Sequence, residues 1–127
     1  MRNLALLVDD DALVLRSFQR SLNDTYDVET AQNPYEAISK LSQGCDVRVI
    51  VTDIDMPGMN GVNFLRRLNS EWPHIYCIVL TGNQDPGLES QLLRLPNVVR
   101  VFHKPTLSNA ISPVIRQFMD HKETSAL

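Results

Sequence analysis

The chain has no long hydrophobic run: nothing in its 127 residues approaches the roughly 20 consecutive apolar positions of a membrane-spanning helix. It has no basic excess either. Twelve Lys and Arg stand against 15 Asp and Glu, a formal net charge of −3, so no direct contact with nucleic acid is expected. Cysteine is scarce. Cys77 lies inside the apolar run IYCIVL, where a buried free thiol is the plain reading, and Cys45 is remote from it in sequence. The start MRNLALLVDDD carries only a short apolar segment, and acids follow where a signal peptide would need small residues for cleavage. A cytoplasmic location is therefore expected. Linkers, repeats and low-complexity blocks are missing as well. What remains is 43% hydrophobic, enough for one globular domain with a real core.

Strand and helix patterns alternate along the chain. LALLV (4–8) is a continuous apolar run, as a strand buried on both faces should be, and Val14, Leu15, Phe18 and Leu22 follow at helical spacing. YDVET (26–30) alternates weakly, as an edge strand would. Asn33-Pro34-Tyr35-Glu36 then has the form of a helix start, with Pro34, Ala37, Ile38 and Leu41 inward and Gly44 as the stop. VRVIV (47–51) predicts a third strand, and Val62, Leu65, Leu68 and Trp72 predict the apolar side of the helix after it. IYCIVL (75–80) is a fourth strand. Asp85-Pro86 caps a helix carrying Leu88, Leu92 and Leu95, and VVRVF (98–102) is the fifth strand. Leu107, Ala110, Ile111, Val114, Ile115 and Phe118 form a last stripe. Pro113 interrupts it, so a kink, or a fresh helix capped by Ser112, is expected there. Five strands alternating with five helices imply a parallel sheet covered on both faces.

In such a sheet, sites form outside the C-terminal strand ends, and here those ends carry the polar chemistry. The first strand ends in Asp9-Asp10-Asp11, the third in Asp53 with Asp55 beyond it, the fourth in Thr81, and the fifth in His103-Lys104-Pro105. Two carboxylates ~5 Å apart repel by about 3 kcal/mol at an effective dielectric of about 20, so a cluster of three calls for a cation. An open, all-oxygen, carboxylate-rich site suits Mg²⁺, for which Mn²⁺ could substitute. A metal-bound carboxylate with a lysine and a threonine beside it makes a phosphoryl-transfer site, the carboxylate being the nucleophile. Each piece alone has an ordinary explanation: the acid run could cap a helix, Thr-Gly and Lys-Pro are common turns, and His103 reads as a solvent-facing rim residue.

Taken as a set, LLVDDD, VTDIDMPGMNG, VLTG and FHKP resemble the signature blocks of the receiver domain of two-component response regulators, from about residue 4 to about 120. That resemblance implies a flavodoxin-like, doubly wound (βα)5 α/β sandwich with strand order 2-1-3-4-5. It implies a receiver domain over 1–121, with 122–127 a frayed tail or the start of a linker. Position by position, it makes Asp53 the phosphoacceptor, Asp10 a direct Mg²⁺ ligand, and Asp9 a holder of the ion mainly through water. The backbone carbonyl of Asp55 becomes the third protein ligand. Thr81 becomes the hydroxyl that binds the phosphoryl group, and Lys104 pairs with the phosphoryl oxygens, its bond to Pro105 being cis. Met56-Pro57-Gly58 with Gly61 shapes the loop after the acceptor. The implied activity is that of a switch in a phosphorelay: a sensor histidine kinase or histidine phosphotransfer protein donates the phosphoryl group. The added charge draws Thr81 inward and repacks the fourth strand, fourth helix and fifth strand, with self-dimerisation or effector docking through the face of the fourth helix, fifth strand and fifth helix. The chain departs from the family at one switch position. Three residues before the lysine, where Phe or Tyr is usual, it has Val101, and Phe102 should face the other way by strand alternation.

VTDIDMP also resembles the Asp-x-Asp loop of haloacid-dehalogenase-type phosphatases, in which Asp55 would be a general acid/base beside Asp53. There acidic ligands follow the loop, whereas here they precede it. A phosphorylation-independent interaction module has only Val101 in its favour. The output attached to the switch is not written in these residues.

Overall fold

The apolar runs form the sheet and the amphipathic segments cover it. In the computed structural model, which describes residues 4–22, 26–56, 58, 60–105 and 108–120, the order is β1 (Leu4–Val8), α1 (Ala12–Leu22), β2 (Asp27–Ala31), α2 (Pro34–Ser42), β3 (Val47–Asp53), α3 (Gly61–Glu71), β4 (Tyr76–Thr81), α4 (Pro86–Leu93), β5 (Val98–His103) and α5 (Ser108–Met119). Every strand pair is parallel, and the sheet order is β2-β1-β3-β4-β5, as expected. Pro57, Leu107 and the tail from His121, each with a part in the expectations above, lie outside the described residues.

Strand position explains strand composition. Central β1 is buried at every residue and β3 at all but Arg48, whereas edge strand β2 alternates exposed and half-buried positions until Ala31. Side chains on the two faces of the sheet feed two cores. One joins Leu6, Ile50 and Val79 to α2, α3 and α4 through Ile38, Phe64, Leu65 and Leu92. The other joins Leu7, Val51 and Leu80 to α1 and α5 through Leu15, Phe18, Ile111 and Ile115. Val101 packs against the first core and Phe102 against the second, the opposite facing that alternation requires.

The helix starts follow local chemistry. Asn33 Oδ1 accepts from the Glu36 amide at 2.8 Å, and Glu36 Oε2 accepts from the Gln32 amide at 3.3 Å, which ties down the first turn of α2. Asp85 Oδ1 accepts from the Gly87 amide, with Pro86 in the first turn of α4. Gly44, at φ +93°, follows the end of α2 in the left-handed region.

Two faces differ from the sequence reading. Helix α3 buries Gly61, Phe64, Leu65 and Leu68, while Val62 and Trp72 are only partly buried. The apolar stripe is rotated because the backbone at Gly61 packs directly on Ile54, which turns Phe64 into the core. Helix α5 runs through Pro113 as one helix, so no fresh start occurs at Ser112. Pro113 is exposed, and so is Asn109, the residue whose carbonyl loses its hydrogen-bond donor, so water can solvate that group. Ser112 is buried instead, its hydroxyl hydrogen-bonded to that of Ser21 in α1 at 3.0 Å. Ala110 is exposed, and Met119 takes a core place that the stripe did not include.

Helix propensity alone favours alanine over glycine at position 61. A Cβ there would stand 2.5 Å from Ile54 Cβ and 2.6 Å from its carbonyl oxygen. Gly61→Ala is therefore expected to cost about 1–3 kcal/mol, seen as a lower urea midpoint. An unchanged midpoint would show that α3 shifts freely on the loop before it.

Candidate functional site

Parallel register brings the polar strand ends to one edge of the sheet. Val8 pairs with Thr52, Asp53 with Leu80, and Thr81 with His103, so Asp9, Asp53, Thr81 and Lys104 follow in neighbouring places. Asp9 is held by its own amide, which donates to Ala31 at the end of β2. Its Oδ1 accepts from the Asp11 amide at 2.9 Å. Asp11 turns outward as a helix cap: its Oδ1 accepts from Leu13 at the start of α1. Only part of the acid run is thus taken up by capping, and Asp9 and Asp10 remain directed at Asp53. Carboxylate oxygens of Asp9, Asp10 and Asp53 all lie within 4.8 Å of one another.

Asp53 is 3% exposed, at the end of a strand built, Arg48 apart, from β-branched residues. Its Oδ1 accepts from the Asp55 amide at 2.8 Å, and its Oδ2 accepts from Lys104 Nζ at 2.5 Å. The lysine is placed by its backbone, whose amide donates to the Thr81 carbonyl at 2.8 Å, and its bond to Pro105 is cis as expected. Burial pulls the Lys104 pKa down. The hydrogen bond that Lys104 donates to Asp53 and the charges of Asp53, Asp9 and Asp55 outweigh that pull, so the net shift is upward and the ammonium is secure. The cleft above these groups has an apolar wall of Val14, Phe18 and Leu80.

Thr81 ends β4, the strand beside that of Asp53, and meets Asp55. Its hydroxyl oxygen accepts from the Asn83 amide at 3.0 Å and points its proton at the Asp55 carboxylate, 3.4 Å from Oδ1 and 3.5 Å from Oδ2. The Gly82 amide donates to Asp55 Oδ2 at 2.6 Å. The sequence readings placed Asp55 as a metal ligand through its backbone carbonyl or, in the phosphatase reading, as an acid/base, and neither joined it to Gly82; the signal available was a carboxylate two places after Asp53, opposite a Thr-Gly pair on the adjoining strand. His103 also differs from its expected solvent-facing place: it is half-buried, and its Nε2 meets Glu89 Oε1 of α4 at 2.5 Å.

The donor set fits a hard divalent cation. It is all oxygen, three carboxylates face one ammonium, and Asp9 Oδ2 is buried without a hydrogen-bond donor among the described residues. Burial pushes the Asp9 carboxyl up to about 6, with the Asp53 and Asp10 charges adding to the rise against the Asp11 amide and Lys104. An acid in that position is waiting for positive charge.

The direction of that shift sets a pH dependence for the metal-free protein. Below the ordinary carboxyl value of 3.8, Asp9 is protonated in folded and unfolded chains alike. As pH rises from 3.8 to about 6, the unfolded chain has given up its proton while the folded chain keeps it, so the folded state loses stability over that window and no further above it. Asp9→Asn is therefore expected to stabilise the chelator-treated protein by roughly 2–3 kcal/mol at about pH 7.5 and to change little near about pH 4. Urea unfolding at the two pH values checks this; a gain of equal size at both would remove the titration from the explanation.

Over residues 5–116 the chain matches the family described as response regulator receiver domain. A protein-glutamate methylesterase/protein-glutamine glutaminase 1 of Pseudomonas savastanoi pv. phaseolicola is 39% identical over 107 residues, which cover 80% of this chain and 29% of that protein. This chain thus spans less than a third of the length of that curated relative. Among solved structures, an adenylate cyclase from Rhodopirellula baltica is similar at a TM-score of 0.85 and 28% identity, covering 94% of this chain and 88% of that one. The signal receiver domain of an HD domain-containing protein from Pseudomonas fluorescens Pf-5 gives 0.84 at 25% identity, covering 95% and 97%. The strand order, the cleft of acids facing one lysine, and a match spanning most of the sequence converge, and this chain belongs to the receiver domains of two-component response regulators.

Proposed function

We propose that the chain is a phosphoacceptor switch in which Asp53 takes a phosphoryl group from phosphohistidine on a sensor histidine kinase or a histidine phosphotransfer protein. The observation that supports this most is the placement of one buried carboxylate between Lys104 at 2.5 Å and two further acids within 4.8 Å. An Asp53 oxygen lone pair forms the new P–O bond as the P–N bond breaks, and the bonding pair leaves with the imidazole nitrogen. Lys104 holds the carboxylate in line and then pairs with phosphoryl oxygens. Thr81 supplies a hydroxyl to another of them. Asp9, Asp10, Asp53 and the Asp55 backbone carbonyl would hold Mg²⁺, or Mn²⁺ in its place. Its chemistry when bound is to offset the charge of the acids and of the incoming phosphoryl oxygens.

The added charge, about −1.5 to −2 at neutral pH, is the input to the rest of the domain. In this reading it biases the face made by α4, β5 and α5 towards a partner, either a second copy or an effector. We take residues 1–121 as the working unit and its place as the cytoplasm, where its phosphodonors act. Among the described residues no helix is long and apolar enough to cross a membrane. The haloacid-dehalogenase reading has no support from the family match, and the Asp55 carboxylate is engaged by Thr81 and Gly82.

With Mg²⁺ and acetyl phosphate, the intact protein is expected to gain the mass of one phosphoryl group, and beryllium fluoride is expected to bind at the same place. Asp53→Asn and chelation should each abolish both. A protein that takes up neither reagent, or an Asp53→Asn variant that still does, would sink the proposal.

A further inference from the structure

The geometry points to a second role for Asp55: its side chain is a stand-in for the phosphoryl group, occupying in the resting protein the donors that the modified Asp53 needs. The inference rests on the phosphoacceptor reading above. A carboxylate and a phosphoryl group are both oxyanions, and both seek N–H and O–H donors. The Asp55 carboxylate has collected two: the Gly82 amide at 2.6 Å and the Thr81 hydroxyl at 3.4 Å. That hydroxyl has one proton to give. Its oxygen already accepts from the Asn83 amide, so the proton serves either Asp55 or the group on Asp53, not both.

The connection between the two anions is short. The Asp55 amide donates to Asp53 Oδ1, so the residue that clasps the acceptor through its backbone withholds the donors through its side chain. Asp55 is exposed, so its carboxylate can swing into water with little loss of packing. A phosphoryl group on Asp53 would supply the reason, since it repels the Asp55 charge and competes for the same protons. Asp55 is thereby a positioning residue that sets how strongly the resting state resists the modified one. Its side chain touches the chemistry only through Thr81 and Gly82, whereas its backbone meets Asp53 directly.

Removing the carboxylate should make the donors available at once. A hydrogen bond to a charged group is strong enough that its loss shifts an equilibrium by about tenfold or more. In saturating Mg²⁺, Asp55→Ala is expected to reach half-saturation with beryllium fluoride at a concentration about tenfold lower than the unmodified protein. Asp55→Asn, which keeps an acceptor oxygen without the charge, should fall between the two. The Gly82 amide proton gives an independent readout before any ligand is added. Its NMR resonance should lie downfield in the native protein, move upfield in Asp55→Ala, and converge for both proteins once beryllium fluoride saturates. A merely structural role for Asp55 predicts weaker binding in both variants, not tighter. Saturation with unchanged or weaker affinity overturns the stand-in and leaves the phosphoacceptor reading intact. Failure of all three proteins to bind overturns that reading, and this one with it.

Discussion

Three carboxylates share one edge of the sheet with a single ammonium, and the remainder of the site is organised around that imbalance. The parallel register imposes it, because the ends of β1 and β3 are adjacent and each delivers acid to the same cleft. Burial deepens it: Asp9 is 4% exposed, its carboxyl is pushed up to about 6, and one of its oxygens meets no donor among the described residues. Among the described residues Lys104 pairs directly with Asp53. A cleft in that condition favours cations.

Much of this could be read without coordinates because it is local or follows from topology. Apolar runs became strands, and Asn33 and Asp85 capped the helices they precede, since a cap depends only on residues within one turn. Once the strands were known to be parallel, their ends had to meet, so Asp9, Asp53, Thr81 and Lys104 could be grouped from order alone. What stayed hidden depends on contacts between segments. The close approach of Gly61 to Ile54 rotates α3 and buries Phe64, which no periodicity within the helix announces. Pro113 looked like a break because the cost of a lost hydrogen bond was weighed without its exposure. Asp55 reaches across from the β3–α3 loop to the end of β4, and sequence spacing does not tell a side chain where to turn.

Val101 packs into the core shared by α2, α3 and α4, and Phe102 lies on the opposite side of the sheet, where Arg100 stacks over its ring at 5.0 Å. The bulky ring usual at position 101 in the family is replaced by three carbons that sweep out little volume. The Thr81 hydroxyl is held by polar contacts with Asp55 and Asn83.

The contact between His103 and Glu89 joins β5 to α4 immediately before Lys104 in the chain. The imidazole and the ammonium belong to successive residues, so one short stretch of backbone at the end of β5 is fastened twice, once to α4 through Glu89 and once to the end of β3 through Asp53.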